Sequence, residues 1–175
     1  MSTLLARDEI LALLDALAAE LHLRGQHGDL FLVGGAAMAL AYDTRRATRD
    51  LDGVFEPKLV VYEAAARVAE ARGLPEDWLN DAVKGFLPGP DPDAQVFFDK
   101  PGLAVRVASP RYILAMKLLA SRVERDEDDI RVLYGLCGFT TPGEGLALVQ
   151  AMYPARPIAA KVQFLLEEMF PALPA

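Results

Sequence analysis

Apolar residues recur at Ile10, Leu11, Leu13, Leu14, Leu17, Ala18 and Leu21. That is the spacing of one helix face, so the pattern predicts a helix over Arg7–Leu23. The run Arg24-Gly25-Gln26-His27-Gly28-Asp29 ends it. Leu30–Val33 is short and wholly apolar and reads as a strand. Ala36–Tyr42 follows as a short helix whose small residues allow close packing on a sheet, and Leu51–Phe55 reads as a second strand. Pro57-Lys58 opens a helix to Ala71, stopped by Gly73 and Pro75. Pro75-Glu76-Asp77-Trp78 reads as a fresh helix start with Trp78, Leu79 and Val83 on its buried face, and residues 86–93 form a turn-rich loop. Ala94–Phe98 and Leu103–Ala108, joined by Asp99-Lys100-Pro101-Gly102, predict a hairpin. Pro110–Arg122 is helical, with Ile113, Leu114, Met116, Leu118 and Leu119 on its apolar face. Asp126 reads as the N-cap of a helix to Leu136, Thr141-Pro142 opens another, and Pro157–Phe170 is the last. The order predicts an α+β fold: a small mixed sheet of about four strands with packed helices, then a helical C-terminal third. The expected division is a core over residues 1–109, including the N-terminal helix, and a helical part over 110–175 packed on it.

Composition narrows the class. With 175 residues, 53% of them apolar, the chain has ample material for a core. No apolar run is long enough to span a bilayer, and the N-terminal residues Met1–Glu9 carry neither a basic leader nor a cleavable signal pattern. The single cysteine, Cys137, excludes an internal disulfide and a cysteine-cluster zinc site; these features together predict a cytoplasmic protein without membrane partners. Cys137 stands among Leu136, Gly138 and Phe139 and reads as a buried small apolar residue rather than a nucleophile. His22 and His27 are too sparse for a metal site and read as surface residues. The net charge of −7 argues against broad, non-specific nucleic-acid binding, which depends on Lys and Arg neutralising phosphates. A local basic patch, Arg45, Arg46 and Arg49, leaves RNA open as a substrate and would equally serve a triphosphate.

The candidate chemistry lies between the first two strands. Leu32-Val33-Gly34-Gly35 ends an apolar strand in two glycines, and Thr48-Arg49-Asp50-Leu51-Asp52 follows, with Asp50 fifteen residues after Gly35. Alternation along a strand would project Asp50 and Asp52 to the same face, with Leu51 entering the core. Two adjacent carboxylates repel each other, and a divalent cation relieves the repulsion; all-oxygen donors suit Mg²⁺ or Mn²⁺ rather than zinc. Gly34 and Gly35 let a phosphate approach the backbone, and the next helix offers free N–H groups. A Gly-Gly at a strand end is also an ordinary turn, and a lone Asp-x-Asp is also solvated surface. It is the combination that points to phosphoryl or nucleotidyl transfer.

This combination resembles the signature of the polymerase-β-type nucleotidyltransferases, in which Gly-Gly or Gly-Ser precedes a paired-Asp strand at similar spacing. Downstream, Leu114-Ala115-Met116-Lys117-Leu118 and Arg125-Asp126-Glu127-Asp128-Asp129-Ile130 are similar to segments of the AbiEii-type (MenT-type) toxin nucleotidyltransferases. The resemblance covers residues from about 30 to 133. It implies a nucleotidyltransferase fold, Mg²⁺ held by Asp50 and Asp52, a phosphate contact from Lys117 and a further catalytic carboxylate in Asp129. Read without the resemblance, Lys117 is a snorkelling surface lysine, Asp126 an N-cap, Asp129 the N3 residue of the same helix, and Asp128 solvent-facing. Thr48 reads equally as a phosphate contact and as a good strand residue. Two departures stand out: Gly35 occupies a position where many relatives carry Ser, and Leu103–Ala108 lacks the strand carboxylate that commonly serves as base, Arg106 being its only charge. Asp129 or Asp99 could take that role.

The expected activity is metal-dependent transfer of NMP from an NTP to an acceptor hydroxyl. Gly34, Gly35, Arg46, Thr48, Arg49 and Lys117 are the nucleotide-binding candidates, and Asp50, Asp52, Lys117 and Asp129 the catalytic ones. The toxin resemblance implies an RNA acceptor, notably a tRNA 3′ end, in a toxin–antitoxin-like setting with a cognate antitoxin or toxin protein as partner. A protein or small-molecule acceptor is the alternative, and the missing strand carboxylate motivates a third, a non-catalytic nucleotide-binding module.

Overall fold

The computed structural model describes residues 4–120 and 122–172. Met1–Thr3, the start of the Met1–Glu9 segment read above, and Ser121, inside the expected helix 110–122, lie outside the described residues. The chain divides into two units, Met1–Gly85 with Asp93–Ala108, and Phe86–Pro92 with Ser109–Ala175.

The first unit opens with the short strand β1 (Leu5–Ala6), which runs directly into α1 (Arg7–Leu23), the helix that the apolar stripe predicts. The Glu9 carboxylate accepts the Ala6 N–H at 2.6 Å and so closes the helix N-terminus. Then come β2 (Gly28–Leu32), α2 (Gly34–Ala37), which continues into a π-helical turn over Met38–Tyr42, β3 (Ala47–Thr48) and β4 (Leu51–Glu56). α3 (Lys58–Arg72) ends at Gly73, whose φ of 65° makes a left-handed cap. Where the pattern predicts a helix start at Pro75, the chain makes a single 3₁₀ turn, Glu76–Trp78, and then the strand β5 (Leu79–Asn80). Buried Trp78 stops the turn from propagating: its indole N–H donates to Ala65 O at 3.0 Å, which pins this segment beside α3. A second 3₁₀ segment covers Ala82–Phe86, and Val83 is half-buried. The expected hairpin is β6 (Gln95–Lys100) and β7 (Leu103–Val107).

The sheet is mixed and five-stranded, in the order β5-β4-β2-β7-β6. β2 pairs antiparallel with β4 and parallel with β7, and β4 pairs parallel with β5. The class is α+β with a mixed sheet, as expected; the strand beyond four is β5. β1 and β3 form a separate two-stranded ribbon in which Leu5 stands opposite Thr48.

Register decides which side chains share a face. Leu30 stands opposite Phe55 and Val105, and Leu32 opposite Gly53 and Val107. A Cβ on Gly28 would meet Val61 and Leu21, so this face of β2 is the one that α1 and α3 cover. Leu30, Leu32, Leu51, Phe55, Leu103, Val105 and Val107 are buried here with Leu14, Leu17, Leu21, Val61 and Ala65. Each large side chain of this set contributes about 2 kcal/mol relative to exposure. By the same alternation Asp52, Val54, Phe31 and Arg106 point away from α1 and α3.

Among the described residues the second unit holds four helices: α4 (Pro110–Ala120), α5 (Val123–Cys137), α6 (Pro142–Met152) and α7 (Ala160–Met169). Ser109 starts α4: its hydroxyl accepts the Tyr112 N–H at 3.3 Å, and Pro110 follows at the first helical position. The Asp91 carboxylate accepts both the Ser109 N–H (2.7 Å) and its hydroxyl (3.0 Å), while Tyr112 donates to Gly89 O at 2.7 Å. Tyr153 donates to Phe86 O at 2.8 Å. These bonds are why residues 86–92 belong with the helices. Tyr134 is buried and stacked on Phe170, ring centroids 4.0 Å apart, and burial pushes its hydroxyl up to about 12.

One helix start differs from expectation. α5 begins at Val123, with Arg122 as N-cap, so Asp126 is not a cap and Asp129 is not at N3. The N–H groups of Arg125 and Asp126 both donate to Arg122 O, at 3.1 and 3.0 Å, so the first turn is already closed before Asp126. α6 starts as predicted: Glu144 Oε2 accepts from the N–H groups of Thr140 and Thr141, both at 2.8 Å, and from the Thr141 hydroxyl.

Candidate functional site

In the first unit the Gly-Gly turn and the acidic segment meet. Val33 is the last extended residue before α2, and its N–H donates to Asp52 O at 3.0 Å. Gly34 follows with φ of 60°, which favours glycine, and a Cβ there would lie 3.6 Å from Asp52 Oδ2. The Asp52 carboxylate therefore borders the turn. Gly35 faces Thr48: a Cβ on Gly35 would stand 2.7 Å from the Thr48 hydroxyl oxygen. That hydroxyl donates to Asp50 O at 3.0 Å. Thr48 thus spends its hydroxyl on the backbone of the acidic segment, and its place opposite Leu5 in the ribbon sets its position.

Asp50 and Asp52 do not share a strand. β4 begins at Leu51, and Asp50 lies in the bend that Thr48 closes, so strand alternation does not set its direction. What holds the Asp50 side chain is Asn80, whose Nδ2 donates to Asp50 Oδ2 at 3.3 Å. Asn80 is also the register partner of Asp52 in the β4–β5 pair, so both aspartates border one asparagine. Burial, and secondarily the charge of Asp77, pushes the Asp50 carboxyl above its usual range; the Asn80 hydrogen bond and Arg49 act the other way. Neither Asn80 nor Asp77 stands out in the sequence. Asn80 sits in a two-residue strand, too short for periodicity, and Asp77 in a single 3₁₀ turn.

The basic residues divide. Arg45 Nε lies 3.2 Å from Asp43 Oδ1, and Arg46 Nε 3.8 Å from Asp43 Oδ2. The Arg45 hydrogen bond foremost holds the Asp43 carboxyl below its usual range. Arg49 is exposed, and its charge reaches Asp50. On β7, Arg106 is exposed and faces the same way as Asp52. Asp99 stands opposite Ala104, which pairs with Asp29 at the far end of β2 from the Gly34 turn, so register keeps it away from Asp52.

In the second unit Lys117 reaches two carboxylates of α5, Asp126 Oδ1 and Asp129 Oδ2, each at 2.9 Å. The three side chains are only 12–13% exposed, so Lys117 does not snorkel to solvent. Asp126 is its ion-pair partner rather than a cap. Cys137 is half-buried, and burial pushes its thiol up, which favours the protonated form. His22 and His27 are exposed, as expected.

Among the described residues no three His, Cys, Asp or Glu side chains are gathered as a metal centre, and no helix is long and apolar enough to cross a membrane. Two carboxylates still fit Mg²⁺ or Mn²⁺, which commonly take one or two protein carboxylates and complete their shell with phosphate oxygens and water. The raised carboxyl of Asp50, with Asp77 adding to the local negative charge, is the electrostatic environment that a cation relieves.

No family model and no curated protein matches the sequence. Among solved structures the chain is similar to an antigenic nucleotidyltransferase-like protein from Paracoccidioides brasiliensis, at 16% sequence identity and a TM-score of 0.42, with 93% of this chain and 95% of that chain covered.

Proposed function

We propose that the protein is a metal-dependent nucleotidyltransferase that moves NMP from an NTP to an acceptor hydroxyl. The observation that carries the reading is the coupling of Gly35, Thr48 and Asp50, which brings the Asp50–Asp52 segment to the Gly34–Gly35 turn. In this reading Asp50 and Asp52 hold Mg²⁺ or Mn²⁺. The bound ion would neutralise triphosphate charge and stabilise the entering and leaving oxygens of an in-line displacement. Gly34 and Gly35, lacking side chains, admit the phosphates to the backbone N–H groups that open α2. Arg49 supplies an exposed positive charge beside Asp50; Arg46 serves only by leaving Asp43. Thr48 acts through the backbone of Asp50 rather than through phosphate. An oxygen–phosphorus bond forms between the acceptor hydroxyl and the α-phosphorus as the α–β bridging bond breaks. Pyrophosphate leaves with the bridging oxygen's electron pair, and the acceptor proton passes to a base.

Lys117 and Asp129 belong to this proposal through the motif resemblance. Two of the three Lys117 N–H donors are taken by Asp126 and Asp129; the third would contact phosphate, and Asp129 would act as the further carboxylate. The AbiEii-type resemblance makes an RNA 3′ end, such as that of tRNA, the favoured acceptor, in a cytoplasmic toxin–antitoxin-like role with a cognate protein partner. A protein or small-molecule acceptor fits the same centre. β7, with Arg106 as its only charge, favours one second reading, a module that binds nucleotide without transferring it.

Pyrophosphate release decides between these. The assay takes each NTP with Mg²⁺ or Mn²⁺ and total RNA, beside the variant D50N/D52N. Label entering small RNA, and lost in the variant, supports RNA nucleotidyl transfer. Metal-dependent NTP binding without release supports the binding module, or an acceptor that is not RNA. NTP binding and release unaffected by D50N/D52N would overturn the metal assignment.

A further inference from the structure

We infer that Asn80 is the residue that positions the Asp50 carboxylate for cation binding. The inference rests on the reading of Asp50 and Asp52 as ligands. Asp52 is fixed by its strand: its carbonyl accepts the Val33 N–H, and its register opposite Asn80 is set by the β4–β5 pair. Asp50 has no such frame, because it precedes the strand. Thr48 holds its backbone, and Asn80 Nδ2 holds its carboxylate at Oδ2, 3.3 Å away.

The Asn80 amide has one usable orientation. Its Oδ1 accepts the Ala82 N–H at 3.2 Å, which only a carbonyl oxygen can do. Nδ2 therefore faces Asp50, and it also donates to Asp77 O at 3.3 Å. The segment that carries Asn80 is itself anchored on both sides. Before it, Trp78 is buried and bonded to Ala65 O. After it, the Asp81 carboxylate accepts from the Tyr62 hydroxyl and lies beside Lys58 Nζ, each at 2.6 Å, with both partners on α3. Lys58, foremost among the causes, holds the Asp81 carboxyl below its usual range, so this anchor is an ion pair at neutral pH. An amide held this firmly orders a carboxylate that the sheet leaves undetermined. Partners that orient ligand side chains in this way commonly matter about ten- to a hundredfold to metal affinity.

The test is Mn²⁺ binding to the full chain, followed by the electron paramagnetic resonance signal of free Mn²⁺ without nucleotide. The variants are Asn80→Ser, Asp50→Asn, Asp52→Asn and the two doubles of Asn80→Ser with each. Serine keeps an acceptor for the Ala82 N–H but is too short to reach Asp50. Asn80→Thr carries the same hydroxyl on a side chain that strands favour, and replaces the serine variant if that one does not fold. The expected result is about tenfold weaker Mn²⁺ binding for Asn80→Ser in a protein that still folds and melts cooperatively. In the Asp50→Asn background the substitution should have no further effect, whereas in the Asp52→Asn background it should still weaken binding. Wild-type affinity in Asn80→Ser, or an equal loss in both backgrounds, would overturn the positioning role. If Asp50→Asn and Asp52→Asn themselves bind Mn²⁺ as the wild type does, the metal reading fails, a different outcome from failure of the Asn80 inference alone.

Discussion

Gly35 and Thr48 oppose each other so closely that a Cβ on Gly35 would lie 2.7 Å from Thr48 Oγ1 and 3.1 Å from Thr48 Cβ. Thr48 cannot simply rotate away, because its hydroxyl donates to Asp50 O. The glycine of the turn and the first aspartate of the acidic pair are thus linked through one threonine. This also gives a physical reason for glycine, rather than serine, at this position: Thr48 occupies the space that a side chain there would need.

Gly35→Ala should therefore cost about 1–3 kcal/mol by overpacking, despite alanine's better helix propensity. Thr48→Ala alone should cost about 1 kcal/mol for the lost hydrogen bond. Urea denaturation of the double variant should show less than the sum, because removing the hydroxyl makes room for the new methyl group. Additive losses would mean that the two residues do not touch.

Lys117 stands between two carboxylates with little solvent access. Lys117→Met removes the charge at similar length and leaves Asp126 and Asp129 facing each other. We expect a loss of about 3 kcal/mol, the scale for breaking a buried ion pair. Adding Asp126→Asn and Asp129→Asn should recover much of it. A melting temperature unchanged in Lys117→Met would show that these ions are solvated as ordinary surface pairs are.

The N-terminus of α6 should titrate. Hydrogen bonds from the N–H groups of Thr140 and Thr141, and from the Thr141 hydroxyl, hold the Glu144 carboxyl below its ordinary value of 4.5. The folded state therefore releases this proton more readily than the unfolded state does. The resulting stabilisation is present above about pH 4.5 and disappears as pH falls through the lower, folded value. Thermal melting of wild type and Glu144→Gln, compared from pH 7 to pH 2.5, should show a difference that shrinks on acidification. A constant difference would remove the carboxylate's charge from the explanation.

Much of this architecture is legible from the chain alone, and the exceptions share a cause. The α1 stripe, the Gly73 stop, the β6–β7 hairpin and the Thr141-Pro142 start all leave local signals of period or capping, and each forms where the signal stands. β5 leaves none, because two residues cannot show alternation; a tryptophan bonded to a carbonyl of α3 makes the segment turn. Asp126 has the chemistry of an N-cap, yet Arg122 closes the turn first and a lysine nine residues away claims the carboxylate. In the candidate site, Gly34, Gly35, Asp50 and Asp52 can be picked out by residue type and spacing. That Asp50 stands outside the strand and leans on Asn80 cannot, because a bond between side chains thirty residues apart has no periodic trace.

Asp50 itself separates folding from function. Burial, and then the neighbouring charge of Asp77, disfavours its ionised form in the folded protein. At neutral pH the bare carboxylate is therefore a burden on stability, and Asp50→Asn removes it while an amide oxygen can still accept the Asn80 N–H. The variant should melt at or above the wild-type temperature in the absence of divalent ions. If Asp50 is a metal ligand, as proposed, its loss removes several kcal/mol of transition-state stabilisation, so the proposed metal-dependent pyrophosphate release should fall at least about a hundredfold. Added Mg²⁺ should raise the wild-type melting temperature and leave that of the variant unchanged, since only a site that binds the ion gains from its presence. A variant that melts well below wild type would assign Asp50 to holding the fold instead, and the acidic pair would lose its claim to chemistry.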